Sequence, residues 1–167
     1  MADKPTYLEH TFSLKGRIAI VTGGMGQLGT EYAGALARAH AKVAVYDIKE
    51  QPNEVLKSLA KRYPVTFSAV DITNRRALED ATDRIEAAWG PPTILVNNAA
   101  LDFPPQASGE TFEDASVSQW RQALEVNLTG VFLCCQVIGG RMARAGGGSI
   151  INISSIYGLV SPDQRIY

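Results

Sequence analysis

Three glycines at three-residue spacing, Gly23, Gly26 and Gly29, stand in the segment Thr22-Gly-Gly-Met-Gly-Gln-Leu-Gly29. An apolar run over 17–21 precedes them and a helix-period stretch over 27–39 follows. Glycines in that setting permit a tight turn, close approach of the backbone to a pyrophosphate, and packing of a helix on a strand. The chemistry is anion capture: N–H groups and the dipole at a helix start hold phosphates without a Lys or Arg. Met25, Gln27 and Leu28 share the loop and are expected beside the same ligand, Met25 as its cover.

Asp47 closes a second apolar run, KVAVYD, 24 residues after Gly23. A carboxylate there accepts hydrogen bonds from both hydroxyls of an adenosine ribose and repels a 2′-phosphate. The glycine loop holds no Arg or Lys, although Lys49 is near. NAD is therefore expected, with NADP disfavoured. Two further residue types could act on a substrate. Ser154 and Ser155 end the run SIINIS, on the edge where open α/β sheets bind ligands. Asn127 borders the apolar face of a long helix read over 118–144, with Gly130 one turn on. An amide there needs partners, and the glycine weakens the helix by ~1 kcal/mol relative to Ala, so a local bend with the amide turned inward is expected.

The elements that must position these groups alternate. Strands are read at 17–21, 42–47, 65–70, 93–97 and 149–154, and helices at 27–39, 50–62, 74–89 and 118–144. Runs apolar on both faces suit a sheet covered on two sides. Strand–helix alternation implies right-handed crossovers and a parallel, doubly wound α/β sheet of the Rossmann type, incomplete on its C-terminal side. In the long helix Trp120, Leu124, Leu128, Val131, Cys135, Ile138 and Met142 recur at steps of three and four, which predicts one buried face. A polar, proline-bearing loop over 101–114 falls on the ligand side.

Bulk properties agree with one folded domain over 1–167. The chain is 46% hydrophobic and 20% charged, with a net charge of −1. No basic field invites nucleic acid or an anionic membrane, and no run approaches the ~18 apolar residues of a membrane span. Cys134 and Cys135 are adjacent in a helix, where neighbouring side chains diverge, so no disulfide is expected and a cytoplasmic setting fits. His10 and His40 stand apart from the other polar candidates. No Cys/His spacing suggests a metal, and no Ser-His-Asp arrangement is seen.

Taken together, TGGMGQLG, Asp71-Ile-Thr, Asn97-Asn98-Ala-Ala, an Asn within the long helix and Asn152-Ile-Ser-Ser155 resemble, in that order, the short-chain dehydrogenases/reductases. The resemblance spans about residues 13–155. It implies that Asp71 and Ile72 contact adenine, that Asn98 and Ala99 line the cofactor cleft, that Ser155 binds the substrate oxygen, and that Asn127 holds a water in a proton relay. It implies a Tyr acid/base with a Lys four residues later. Tyr167, 12 residues after Ser155, is one short of the family's spacing and has no +4 position. It is kept as a candidate, and the 167-residue chain, read as part of a longer domain, is expected to bind dinucleotide weakly or not at all and to turn over nothing alone. Gln27 stands where single-domain members carry glycine, and Ala100 replaces the motif's last glycine.

The resemblance implies interconversion of a small alcohol and a carbonyl, with family dimers or tetramers packing the long helix against its mate. Two other readings stay open. One is a sugar-nucleotide epimerase or dehydratase of the extended branch, whose T-G-x-x-G-x-x-G spacing is similar. The other is a non-catalytic NAD-binding protein.

Overall fold

The computed structural model describes residues 11–102 and 112–160. Five strands form one sheet: β1 (Ile18–Thr22), β2 (Lys42–Asp47), β3 (Val65–Ala69), β4 (Ile94–Asn97) and β5 (Ser149–Asn152). Every pairing is parallel and the order is β3-β2-β1-β4-β5. The chain runs outward from β1 to β3, then returns to β1's other side for β4. That reversal leaves a crevice at the carboxyl ends of β1 and β4, the ligand position in open α/β sheets.

Successive side chains on a strand point to opposite faces, and the core follows that rule. Ile18, Ile20, Ala44, Tyr46 and Leu95 face one layer, with Leu78, Ile85, Ile138 and Met142 from the helices. Ala19, Val21, Val43, Val45, Ile94 and Val96 face the other, with Ala33, Ala37 and Leu56. Strands β1 and β4 are buried throughout, as the runs without polar alternation predict. Strand β5 is exposed along its length and forms an edge. That corrects the expectation of burial on both faces: among the described residues no sixth strand pairs with it.

Helix α1 (Gln27–Arg38) buries Gly29, Ala33 and Ala37 at four-residue steps, a small-residue stripe that lets it lie close to the sheet. Helix α2 (Glu54–Ala60) starts later than its apolar pattern suggests, because Asn53 caps it by accepting the Leu56 N–H at 2.9 Å. Asn74 caps α3 (Arg75–Trp89) the same way, through the Ala77 N–H. Side-chain oxygens at these positions satisfy N–H groups that a helix start leaves unpaired. Helix α1 has no such cap: Gly26 occupies the position.

The long helix α4 (Val117–Arg144) contains two π-helical stretches, Glu125–Gly130 and Cys135–Gly139. Of the face expected from a regular repeat, Ile138 and Met142 are buried at its C-terminal end, while Trp120, Leu124 and Leu128 are exposed. Gly130, Cys134, Val137, Ile138 and Met142 are buried, whereas Trp120 and Leu128 are each 64% exposed. By length and composition this helix could cross a membrane, which corrects the reading that no segment is long and apolar enough. Its buried stripe packs on the sheet-side cluster, while most of its apolar window is not buried. Arg141, near its end, pairs with Asp83 and Glu86 of α3.

Candidate active site

Thr22 ends β1 and organises the crevice. Its hydroxyl oxygen accepts the N–H groups of Asn98 and Ala99, both at 3.1 Å, just past β4. In return the Asn98 amide nitrogen donates to the carbonyls of Thr22 and Gly23, again at 3.1 Å. The two strand ends are thus stitched together directly under the glycine turn. Thr22 was not among the residues singled out from sequence, although a hydroxyl beside the first glycine was a usable signal.

Gly23 turns with φ +60°, the left-handed region that favours glycine. A Cβ on Gly23 would lie 2.6 Å from the Ala99 Cα. A Cβ on Gly29 would collide with the Gly23 carbonyl oxygen and lie 2.6 Å from the Gly24 Cα. The turn and the helix start are therefore packed backbone to backbone. No side chain caps α1, and Gln27, Leu28 and Gly29 of its first turn line the cleft. Such a helix start attracts anions.

The cleft has a volume of about 680 Å³. Its floor is the glycine turn and α1's first turn. One wall is the end of β2, Asp47 to Lys49; another is Val70 to Thr73, after β3. Asn98 to Leu101 and the start of α4's first π stretch close the remaining side. Gly23, Gly26, Gln27, Leu28, Gly29, Asp47, Asp71, Ile72, Asn98 and Ala99, read from sequence as cofactor contacts, all line this one cavity. Met25 does not. Its side chain is buried with Ala33, Val45 and Leu56 in the core, so the cover assigned to it is corrected to a packing role.

Asp47 is 8% exposed. One carboxylate oxygen accepts the Met25 N–H at 2.9 Å and the other the Lys49 N–H at 3.1 Å. The group that faces the cleft also ties the glycine loop to β2. Asp71 uses one oxygen on the N–H and the hydroxyl of Thr73, at 2.9 and 2.8 Å, which shapes the turn after β3. Ile72 beside it is buried against Gly130, where a Cβ would lie 2.5 Å from the Ile72 Cδ1.

Asn127 lies inside the first π stretch. Its Oδ1 accepts the Leu101 N–H at 2.8 Å and its Nδ2 donates to the Leu101 carbonyl at 3.0 Å. The amide finds the partners it was expected to need, in the backbone entering the loop after β4. Ser155 follows β5 and caps a short turn, Ile156–Gly158, accepting the Tyr157 N–H at 3.2 Å. Neither Asn127 nor Ser155 lines the cavity itself. Tyr167, His10 and residues 103–111 of the expected ligand-side loop lie outside the described residues. Among the described residues no group of three or more His, Cys, Asp or Glu could hold a metal.

Asn97 and Asn152 join the carboxyl ends of β4 and β5, Asn97 Nδ2 donating to Asn152 Oδ1 at 2.8 Å. Sequence reasoning also missed Gln122, Glu125 and Val126, which reach the cleft from α4. Their spacing was visible, but the regular-helix reading gave no reason to turn them toward the sheet.

The sheet order and the crevice at its switch point define an α/β domain of the Rossmann type. The chain belongs to the short chain dehydrogenase family, whose model matches residues 17–167. It is similar to the D-threitol dehydrogenase of Mycolicibacterium smegmatis, 33% identical over 95% of this chain and 60% of that protein. It is similar to the NADP-dependent (R)-specific alcohol dehydrogenase of Lentilactobacillus kefiri, 36% identical over 90% of this chain and 58% of that protein. Among solved structures, LigO of a Sphingobium strain in its apo form superposes with a TM-score of 0.74 at 29% identity, covering 89% of this chain and 55% of that one. The chain thus spans somewhat over half the length of the relatives it matches.

Proposed function

We propose that the chain is the cofactor-binding part of an NAD-dependent oxidoreductase that interconverts a small alcohol and its carbonyl. The observation that carries this reading is the uncapped start of α1, set on a glycine turn too close-packed for a Cβ at Gly23 or Gly29, with Asp47 one strand away in the same cleft. The residues present fit a dinucleotide. Backbone N–H groups of Gln27 to Gly29 bind the diphosphate, and Asp47 accepts from the ribose through lone pairs left by its two backbone bonds. A bound nicotinamide supplies the hydride donor or acceptor.

Ser155, at the carboxyl end of β5, orients the substrate oxygen. Asn127 holds Leu101 against α4 and so keeps the cleft wall in place. Proton transfer falls to a tyrosine, for which Tyr167 is the candidate in this chain. A phenol titrates near pH 10 unperturbed, so that role calls for a neighbouring cation. The reading places the protein in the cytoplasm. Relatives named as dehydrogenases support a net oxidoreductase over an epimerase.

Because one relative is named as NADP-dependent, the preference for NAD rests on Asp47. Calorimetric titration with NAD and NADP tests it. Tighter binding of NAD is expected, and Asp47→Ala should narrow the gap at least tenfold, about 1.4 kcal/mol. Equal affinity in the unmodified chain would remove the argument. We further propose that Trp120, Leu124, Leu128 and Phe132, an exposed apolar row at four-residue steps on α4, packs against a second copy. Light scattering of Leu128→Glu against the unmodified chain tests that pairing.

A further inference from the structure

We propose that Glu125 reads the base of the bound dinucleotide, accepting a hydrogen bond from an exocyclic amino group and so selecting a 6-amino purine over a 6-oxo purine; this rests on the dinucleotide reading of the cleft. Gln122, Glu125 and Val126 line the cavity at helical spacings of three and four, so a single face of α4 looks into it. Across the gap stand Asp71, Ile72 and Thr73. The close contact of Gly130 with Ile72 fixes how near the helix comes to that segment. Ile72 and Val126 supply apolar flanks for a flat ring, and both belong to the hydrophobic layer on this side of the sheet.

The charged groups at this end, Asp71 and Glu125, are acidic. Asp71 has one oxygen engaged by Thr73 and a second with no hydrogen bond among the described residues. Glu125 makes no ion pair or side-chain hydrogen bond among the described residues. The cation lining the cavity is Lys49, at the end of β2, with the ribose-side carboxylate. A base edge placed between two carboxylates gains by presenting a donor and loses by presenting an acceptor. Adenine offers an amino group at position 6, and hypoxanthine offers a carbonyl oxygen there. A glutamine at position 125 presents both a donor and an acceptor, so it tolerates either base.

The test is calorimetry on the chain with NAD and with nicotinamide hypoxanthine dinucleotide, comparing Glu125→Gln and Glu125→Ala with the unmodified protein. The unmodified chain is expected to bind NAD about tenfold more tightly, the scale of one charge-assisted hydrogen bond at a solvent-open rim. Glu125→Gln should bring the two ligands within about threefold, and Glu125→Ala should weaken NAD alone. Equal loss for both ligands in either variant means Glu125 merely supports the wall, and overturns the proposal. An undiminished preference for NAD in both variants also overturns it while leaving the dinucleotide reading intact. If the unmodified chain binds neither ligand, that reading fails and the inference with it.

Discussion

Asn127 and Leu101 make a two-point amide clasp: Asn127 Oδ1 takes the Leu101 N–H at 2.8 Å and Asn127 Nδ2 gives to the Leu101 carbonyl at 3.0 Å. The side chain thereby satisfies a backbone that leaves β4 with no strand to pair with, and does so from within a π turn. Removing it with Asn127→Ala leaves a partly buried donor and acceptor unmet. A loss of about 2 kcal/mol in denaturant unfolding is expected. Leu101 lines the cleft, so dinucleotide affinity should fall as well. If both stability and affinity hold, the clasp is incidental.

The glycines of the cradle should rank by what a methyl group would meet. Gly29→Ala drives a Cβ into the Gly23 carbonyl, and Gly23→Ala meets the Ala99 backbone at 2.6 Å with φ +60°. Gly26→Ala meets the Gly23 oxygen at 3.3 Å, a contact a small shift relieves. We expect the first two to lose measurable dinucleotide binding and several degrees of melting temperature, and the third to lose little of either. Binding by Gly29→Ala equal to that of Gly26→Ala would contradict the close-approach argument.

Much of this arrangement was legible in the residues. Runs such as IAIV over 18–21 and VAVY over 43–46, without polar alternation, suit strands covered on both sides, and the glycine pattern between a strand and a helix located the cleft. Met25 was misplaced because sequence gives the loop but not the direction of its side chains. The backbone bond from Met25 to Asp47 turns that side chain into the core. The buried stripe of α4, Gly130, Cys134, Ile138 and Met142, meets the face read from periodicity only at Ile138 and Met142, because Trp120, Leu124 and Leu128 before them are exposed rather than buried. Gln122 and Glu125 reach the site from the N-terminal part of the helix, on a face that the apolar repeat gave no reason to pick. Thr22 was hidden for another reason: its partners, Asn98 and Ala99, are over 70 residues away in the chain.

Tyr46 predicts an alkaline limb in stability. It is fully buried, its hydroxyl lacks a hydrogen-bond partner, and nearby Thr82 gives its own hydroxyl to the Leu78 carbonyl. Burial raises its pKa from 10.0 to about 12. The folded chain thus holds this proton more tightly than the unfolded chain does. The contribution is complete below pH 10 and is lost as pH rises toward 12, by up to about 2–3 kcal/mol. Tyr46→Phe should flatten that limb and leave neutral-pH stability within about 1 kcal/mol, since no hydrogen bond is forfeited. Denaturant unfolding of both proteins from pH 8 to 11 checks it; parallel curves would show that Tyr46 does not set the alkaline slope.

The adjacent cysteines should differ in reactivity although they share one helix. Cys134 is fully buried in the layer beneath the sheet, and burial raises its thiol pKa to about 12. Cys135 is only partly buried and its sulfur accepts a bond from Asn97 Nδ2 at 3.5 Å. Reaction needs the thiolate and access to it. A disulfide reagent at pH 8 should therefore modify one thiol in the folded chain, and Cys135→Ser should abolish that reaction. Cys134 should react only as the domain opens, with a rate that rises with denaturant. Rapid modification of Cys134 in the folded Cys135→Ser variant would show that the α4 stripe is not packed on the sheet as described.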